Sequence, residues 1–176
     1  LQTAASFGMN PDAVLASLPE LHDILLNGLP PLYYNANLRN SARAHKTDML
    51  NNNYYNHISP DGRTPDDRIR AAGYIAGVTG ESLGILGFVN FISPEEAADS
   101  IFENMFRDEL DPARTERRNI LASDVEEIGA GFGAGALSIG GISYNAYIAV
   151  CDFGAGIETQ IQVPEWESIL FQLINQ

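Results

Sequence analysis

The segment YYNHISPDGRTPDDR, from Tyr54 to Arg68, carries the most distinctive pattern of the chain. Within it, Ser59–Gly62 (Ser-Pro-Asp-Gly) predicts a type I turn, because proline stands at the second position and glycine at the fourth. His57, one of three histidines in the chain, comes immediately before this turn. The position suits a histidine that holds the loop in place, and it equally suits one that lines a cleft.

Four stretches predict helices: three begin with a capping residue followed by proline at the first helical position, and the remaining one has apolar residues at helical spacing. They run from Asn10 to about Gly28, from about Asn35 to Asn51, from Thr64 to Gly73, and onward from Ser93. The second has an apolar stripe at helical spacing, formed by Leu38, Ala42, His45 and Met49. Since His45 lies on that stripe, we expect it to be buried and hydrogen-bonded.

The helix that follows Ser93 begins with a capping box, in which the serine and Glu96 are three positions apart. Its predicted apolar face consists of Ala98, Ile101, Phe102, Met105 and Phe106. The acidic stretch Asp108–Asp111 comes after this face, so we expect a solvated helix end there.

Beyond Leu121 the sequence is rich in glycine and in β-branched or alternating residues, which predicts strands at Ile128–Phe132 and Ile142–Phe153. A turn near Gly140-Gly141 would join them as a hairpin. Helices followed by an antiparallel sheet indicate an α+β layered domain. We expect a single domain over residues 1–176, with a core of about 11–156.

Residues 157–176 form a predicted C-terminal extension. Trp166, Ile169, Leu170 and Leu173 recur at three- and four-residue steps, so Pro164–Gln176 predicts an amphipathic helix. Such a short helix needs a surface that covers its apolar stripe. That surface would be the chain's own domain or a second copy, which would give a homodimer.

The amino-acid composition limits the classes of partner that this chain can bind. The net charge is −13 and the pI is near 4.4, so we expect neither nucleic acid nor an anionic membrane surface as a partner. No apolar run reaches the roughly 18 residues of a transmembrane helix. A single cysteine, Cys151, excludes an intrachain disulfide. The chain begins at Leu1 without a basic and apolar leader, so we expect a processed form.

An ordered series of short motifs surrounds the opening segment. The motifs are Gly28–Leu32 (GLPPL), Ala42–His45 (ARAH), His57–Pro65 (HISPDGRTP), Arg68–Ile69, Ala72–Tyr74 (AGY), Gly80–Glu81, Arg118–Leu121 (RNIL), Glu127–Gly129 (EIG) and Asp152–Gly154 (DFG). Over about Leu25–Gly154 this series resembles the CAP superfamily (cysteine-rich secretory proteins, antigen 5 and pathogenesis-related 1) in its bacterial SCP-like branch. The resemblance implies a secreted or envelope-associated protein with a three-layer α-β-α sandwich, a central antiparallel sheet and a shallow cleft.

In this family two histidines and two acidic residues line the cleft. The resemblance places His57 at the first histidine and Glu81 at the first glutamate. The second glutamate falls by position on Asn104, with Glu103 beside it, and the slot of the second histidine holds Glu116. The chain therefore lacks half of the metal-capable histidine pair, and we expect no metal and no cofactor.

Two functions from different classes remain open. The first is a non-catalytic binding module whose cleft holds a lipid, a peptide or a cell-envelope component. The second is a protease-like hydrolase that uses His57 and Glu81. A hydrolase needs a nucleophile with a partner, or about three metal ligands with an open position, so the sequence favours the binding module.

Overall fold

The predicted helices and strands occur in the predicted order, and three further elements are present: one short helix, one two-residue strand and one long strand. The computed structural model describes residues 2–18, 23–24, 27–114, 117–139 and 141–156. The helices are α1 (Gln2–Ser6), α2 (Pro11–Ser17), α3 (Ala36–Asn52), α4 (Pro65–Ala71) and α5 (Pro94–Glu109). The strands are β1 (Tyr33–Tyr34), β2 (Ala76–Phe88), β3 (Glu127–Ile139) and β4 (Ile142–Gly156).

Capping side chains begin the helices where the sequence predicts. Asn10, Asn35, Thr64 and Ser93 each accept hydrogen bonds from backbone N–H groups of the helix that follows. The helix predicted from Asn10 to Gly28 is interrupted, however, because the C-cap Leu18 leaves helical geometry at φ −128° and ψ 82°.

One sheet of four strands in the order β1-β3-β4-β2 forms the centre of the fold. The three long strands are antiparallel, as predicted, whereas the two-residue β1 pairs in parallel with β3. Sequence reasoning missed β2, since its glycines weaken the strand signal. Gly84 shows why one of them is there: a Cβ at that position would overlap Ile101 of α5.

Helices cover both faces of this sheet. On one face α3 packs on the strands through a buried cluster formed by Ala42, Met49, Leu137, Ala146, Ile148 and Val150. On the other, α5 packs through Ala97, Ile101, Met105 and Tyr147. Because neighbouring residues of a strand point to opposite faces, Tyr147 and Ile148 assign α5 and α3 to opposite layers. The predicted α-β-α architecture is therefore confirmed.

The buried face of α5 differs from the predicted one. The residues that face the sheet and the loop after the helix are Ala97, Ile101, Met105 and Glu109, which recur every fourth position. Phe102, predicted as part of the apolar face, is 57% exposed. The close approach of Ile101 and Met105 to Gly84 fixes this rotation of the helix.

Two sequence predictions lie outside the described residues: the amphipathic helix at Pro164–Gln176, with its dimer, and the placement of Glu116. Within the described part of the chain, none of the helices combines the length and the apolar character that a bilayer crossing requires.

Candidate functional site

A buried carboxylate lies where the turn, α4 and β2 meet. Glu81 Oε2 accepts a hydrogen bond from Arg68 Nη2 at 2.7 Å, and Glu81 Oε1 lies 2.7 Å from His57 Nδ1. His45 Nε2 is 3.8 Å from the same Oε1. We refer to His45, His57, Arg68 and Glu81 as the Glu81 cluster. The 2.7 Å distance between His57 Nδ1 and Glu81 Oε1 confirms the prediction that these two residues lie close together.

Local structure holds the members of the cluster in place. Gly62 N–H donates to the Ser59 carbonyl at 2.8 Å, which closes the predicted turn, and Ser59 N–H donates to the Arg63 carbonyl at 3.0 Å. Arg68 Nη1 then donates to Ser59 Oγ at 3.2 Å and to the Arg63 carbonyl at 3.0 Å. One guanidinium therefore links the turn to Glu81.

Exposure divides the cluster into a buried ion pair and an accessible imidazole. The side chains of Glu81 and Arg68 are 1% and 5% exposed, whereas that of His57 is 43% exposed. Burial by itself would raise the pKa of Glu81, but the His57 hydrogen bond and the electrostatic interactions with His45 and Arg68 outweigh it and lower that pKa. Glu81 is therefore ionised at neutral pH, and His57 is the part of the cluster that a ligand can reach.

His45 is buried, as predicted, and it belongs to the cluster, which was not predicted. Its Nε2 lies 3.1 Å from the Asn56 carbonyl and its Nδ1 lies 3.3 Å from the Tyr54 hydroxyl. Burial lowers the pKa of His45 against the opposing charge of Glu81. The ring is therefore predominantly neutral at neutral pH and positions the loop that carries His57.

A second buried acid lies beside the cluster, on the neighbouring strand β4. Asp152 on β4 is the register partner of Glu81 on β2, it is 0% exposed, and neither of its carboxyl oxygens has a hydrogen-bond partner among the described residues. Burial and the charge of Glu81 raise the pKa of Asp152. Sequence reasoning missed this role; an aspartate inside an apolar strand is the signal that could have revealed it.

The cluster lies between two cavities. The larger, about 680 Å³, lies between α4 and the beginning of β2, and its lining includes Glu81. The smaller, about 420 Å³, lies between α3 and α4, and its lining includes His45 and Arg68. His57 lines neither cavity; it contacts Glu81, which lines the larger one.

Two further predicted cleft residues, Glu103 and Asn104, are not brought to this cluster. Glu103 and Asn104 are exposed on α5, which covers the opposite face of the sheet from α3. Glu103 Oε1 lies 3.9 Å from Arg107 Nη2 on its own helix. Among the cleft residues predicted from the sequence, those that meet in the described structure are His57 and Glu81.

The prediction of a solvated helix end at Asp108–Asp111 is wrong for Glu109. This residue is 2% exposed, and its carboxylate accepts backbone N–H bonds from Asn119, Ile120 and Leu121 at 2.6–2.8 Å. Burial raises the pKa of Glu109 despite these bonds. The carboxylate thus fixes the loop that carries the Arg118–Leu121 motif.

The residues present do not fit a zinc site. Zinc sites in proteins use about three or four side-chain ligands around the metal. Of the cluster, the exposed imidazole of His57 could offer Nε2 to a metal, whereas both oxygens of Glu81 already contact His57 and Arg68. Over the described ranges, no three His, Cys, Asp or Glu side chains converge in a way that could hold a metal ion.

The structure is an α-β-α sandwich with a histidine–glutamate pair whose glutamate lines a cavity. The family comparison identifies the class of protein that has these features. The family profile described as "CAP: Cysteine-rich secretory protein family" matches residues 26–153. The chain belongs to this family. No curated protein sequence matches the chain.

Solved structures that resemble the chain are distant from it in sequence. An extracellular protein containing an SCP domain from Bacillus anthracis str. Ames has a TM-score of 0.51 and 20% identity, and the match covers 75% of this chain but only 36% of that one. An outer surface protein from Borrelia burgdorferi has a TM-score of 0.48 and 17% identity, covering 82% of this chain and 91% of that one. Venom allergen-like protein 4 from Schistosoma mansoni has a TM-score of 0.42 and 15% identity, covering 82% and 84%.

Proposed function

We propose that this chain is a secreted or envelope-associated binding module. It holds a lipid, a peptide or an envelope component at the Glu81 cluster and the 680 Å³ cavity beside it. The observation that carries the proposal is the exposed imidazole of His57, bonded at 2.7 Å to a glutamate that Arg68 already neutralises. Such an imidazole can donate or accept a hydrogen bond with a ligand at a reduced desolvation cost, because the ring is already partly shielded from water.

The same geometry argues against a hydrolase. Activation of a nucleophile requires a side chain within hydrogen-bond reach of the base. Ser59 Oγ accepts a bond from Arg68 instead. Burial, with a smaller effect of Asp152, raises the pKa of Cys151 to about 12, so this thiol stays protonated. The described residues thus supply an oriented imidazole without a nucleophile beside it.

Location outside the cytoplasm is part of the proposal. The family is described as secretory, and the Bacillus anthracis protein of the same fold is described as extracellular. The net charge of −13 favours neutral or basic ligands at such a site.

The test follows the His57 ring by NMR while the full chain is titrated with three kinds of probe: phosphatidylcholine vesicles, a tryptic digest of casein, and soluble muropeptides. We expect saturable shifts of the His57 signals with at least one kind of probe, weaker binding in His57→Ala, and no change in the control Asn90→Ala, an exposed residue after β2. Mass spectrometry of the probes decides between the two functions. Cleavage that disappears in His57→Ala would establish the hydrolase, and no response to any probe would overturn the proposed site.

A further inference from the structure

The strand that carries Glu81 is the outer strand of the sheet, and its backbone groups have a defined direction. The Gly154 carbonyl of β4 accepts from Glu126 N–H, on the β3 side, at 3.0 Å. Both backbone groups of a strand residue point to the same side, and alternate residues share that side. Asp152 therefore also faces β3, and the residues of β2 opposite these two, Thr79 and Glu81, face away from β4.

Continuing along β2 in steps of two gives the complete outer edge. The residues whose N–H and C=O groups face outward are Thr79, Glu81, Leu83, Ile85 and Gly87. Among the described residues, one group donates to this row: Asn119 Nδ2, at 3.0 Å from the Glu81 carbonyl. Asn119, itself 3% exposed, therefore closes the edge at the Glu81 carbonyl, and a strand added there would have to displace this contact.

The larger cavity runs along this same edge. Its lining includes five consecutive residues of β2, Gly77–Glu81. Side chains alternate between the two faces of a strand, so a cavity on one face would touch every second residue. Contact with consecutive residues places it at the edge. Ile69, Tyr74 and Val78 give its wall apolar surface, and Asp66 and Arg70 add charged groups.

We propose that an extended peptide binds to β2 as an additional strand, with one of its side chains in this cavity. A row of alternating N–H and C=O groups is matched by another extended backbone, which is the basis of strand addition at sheet edges. The acidic chain selects a neutral or basic peptide. This inference rests on the proposed binding function and names the ligand class.

The experiment uses the full chain, labelled with ¹⁵N, and capped octapeptides in which threonine alternates with valine, leucine, tyrosine or lysine. We expect chemical-shift changes and slower amide exchange at Thr79, Leu83 and Ile85. Each peptide that binds is then N-methylated at alternate residues, in two complementary series. The series methylated on the edge that faces β2 must lose binding, and the other series must retain it.

A variant that blocks the cavity supplies the second readout. A Cβ atom added at Gly77, which lines the cavity, would meet no atom within 4 Å. We therefore expect Gly77→Trp to fill part of the cavity without disturbing the sheet. We expect it to weaken peptide binding at least about tenfold, or about 1.4 kcal/mol. Ile75→Trp, at a position that is 73% exposed and outside the cavity lining, is the matched control and should bind as the unaltered chain does.

The outcomes separate this inference from the proposed function. Equal binding of both methylated series, or failure of every octapeptide, overturns strand addition. A concentration-dependent dimer that protects the same amides without peptide also overturns it, because a second copy would then be the occupant. In each case a His57 response to vesicles or muropeptides leaves the proposed function standing. Loss of that response to every probe removes both.

Discussion

Two buried glutamates in this protein are satisfied in different ways. Glu81 is surrounded by a guanidinium and two imidazoles, whereas Glu109 accepts bonds from three backbone N–H groups. The pKa of Glu81 is lowered despite its burial, while burial raises the pKa of Glu109. Charged partners outweigh the cost of desolvation at the first site, and peptide dipoles do not outweigh it at the second.

The difference indicates that the two glutamates have different roles, one in the stability of the fold and one at the candidate site. Glu109 is enclosed by its own loop, so its carboxylate serves the fold. The carboxylate of Glu81 contacts His57, whose side chain is 43% exposed. A change at the surface that affects His57 therefore also affects the charged Glu81. A buried carboxylate with titratable, partly exposed partners is the better candidate for function.

Removal of the cationic partner at the first site should have the largest effect. Arg68→Met leaves the charge of Glu81 buried beside Asp152, and we expect the free energy of unfolding to fall by about 3–5 kcal/mol. Urea denaturation measures this loss. Arg63→Met is the control, because its ion pair with Asp61 is exposed and should contribute little. Equal losses in the two variants would show that Arg68 is not the partner that stabilises Glu81.

The second site should respond less. In Glu109→Gln the amide nitrogen replaces one acceptor oxygen, so at least one of three backbone N–H groups loses its partner. We expect a decrease of about 1–3 kcal/mol in the free energy of unfolding, measured by the same urea denaturation. Glu103→Gln, an exposed position on the same helix, is the control. A loss as large as that of Arg68→Met would remove the distinction between the two sites.

The two glutamates should also show opposite pH dependence. The pKa of Glu81 lies below its ordinary value of 4.5, so its stabilisation is present above that pH and is lost as pH falls through the lowered pKa. The pKa of Glu109 is raised, so its contribution is largest at low pH and decreases as pH rises through the raised pKa. Relative to wild type, the cost of Glu81→Gln should grow as pH rises toward about 4.5 and then level off, whereas that of Glu109→Gln should shrink as pH rises above about 4.5. Parallel curves would contradict the opposite shifts.

Zinc should produce the smallest response. Because the described residues offer the exposed imidazole of His57 without two further metal ligands beside it, calorimetric titration at neutral pH should show no saturable high-affinity site. Glu116→His restores the imidazole that the family resemblance places at this slot, so we expect its zinc affinity to increase. Tight binding by the unaltered chain would mean that further ligands join His57 and Glu81 around the metal, which contradicts this prediction.

Much of the fold could be predicted from short stretches of sequence. The capping side chains of Asn35, Thr64 and Ser93 act within one helical turn, and the β3–β4 hairpin follows from alternation around one turn. The pairing of His57 with Glu81 came from the family resemblance, since the two residues are far apart in sequence and no local pattern joins them.

What escaped prediction depends on contacts between distant elements. The glycines of β2 weakened its strand signal, yet Gly84 is the position that α5 packs against. The rotation of α5 that exposes Phe102 follows from that contact. Aspartate and glutamate are usually exposed, so the sequence alone predicts surface positions for Asp152 and Glu109. Their burial depends on the residues that pack around them in the fold.

Sequence patterns were sufficient to locate the helix starts, the hairpin turn and the family that the chain resembles, because those signals act over a few residues or as an ordered series of motifs. The folded arrangement was needed to establish that Arg68 neutralises Glu81, that His45 joins them and that, among the described residues, β2 pairs with one strand and carries Asn119 on its outer edge. The free energy of a buried charge depends on its solvent exposure and on partners within a few ångströms. Both are properties of the tertiary structure, which sequence spacing does not contain.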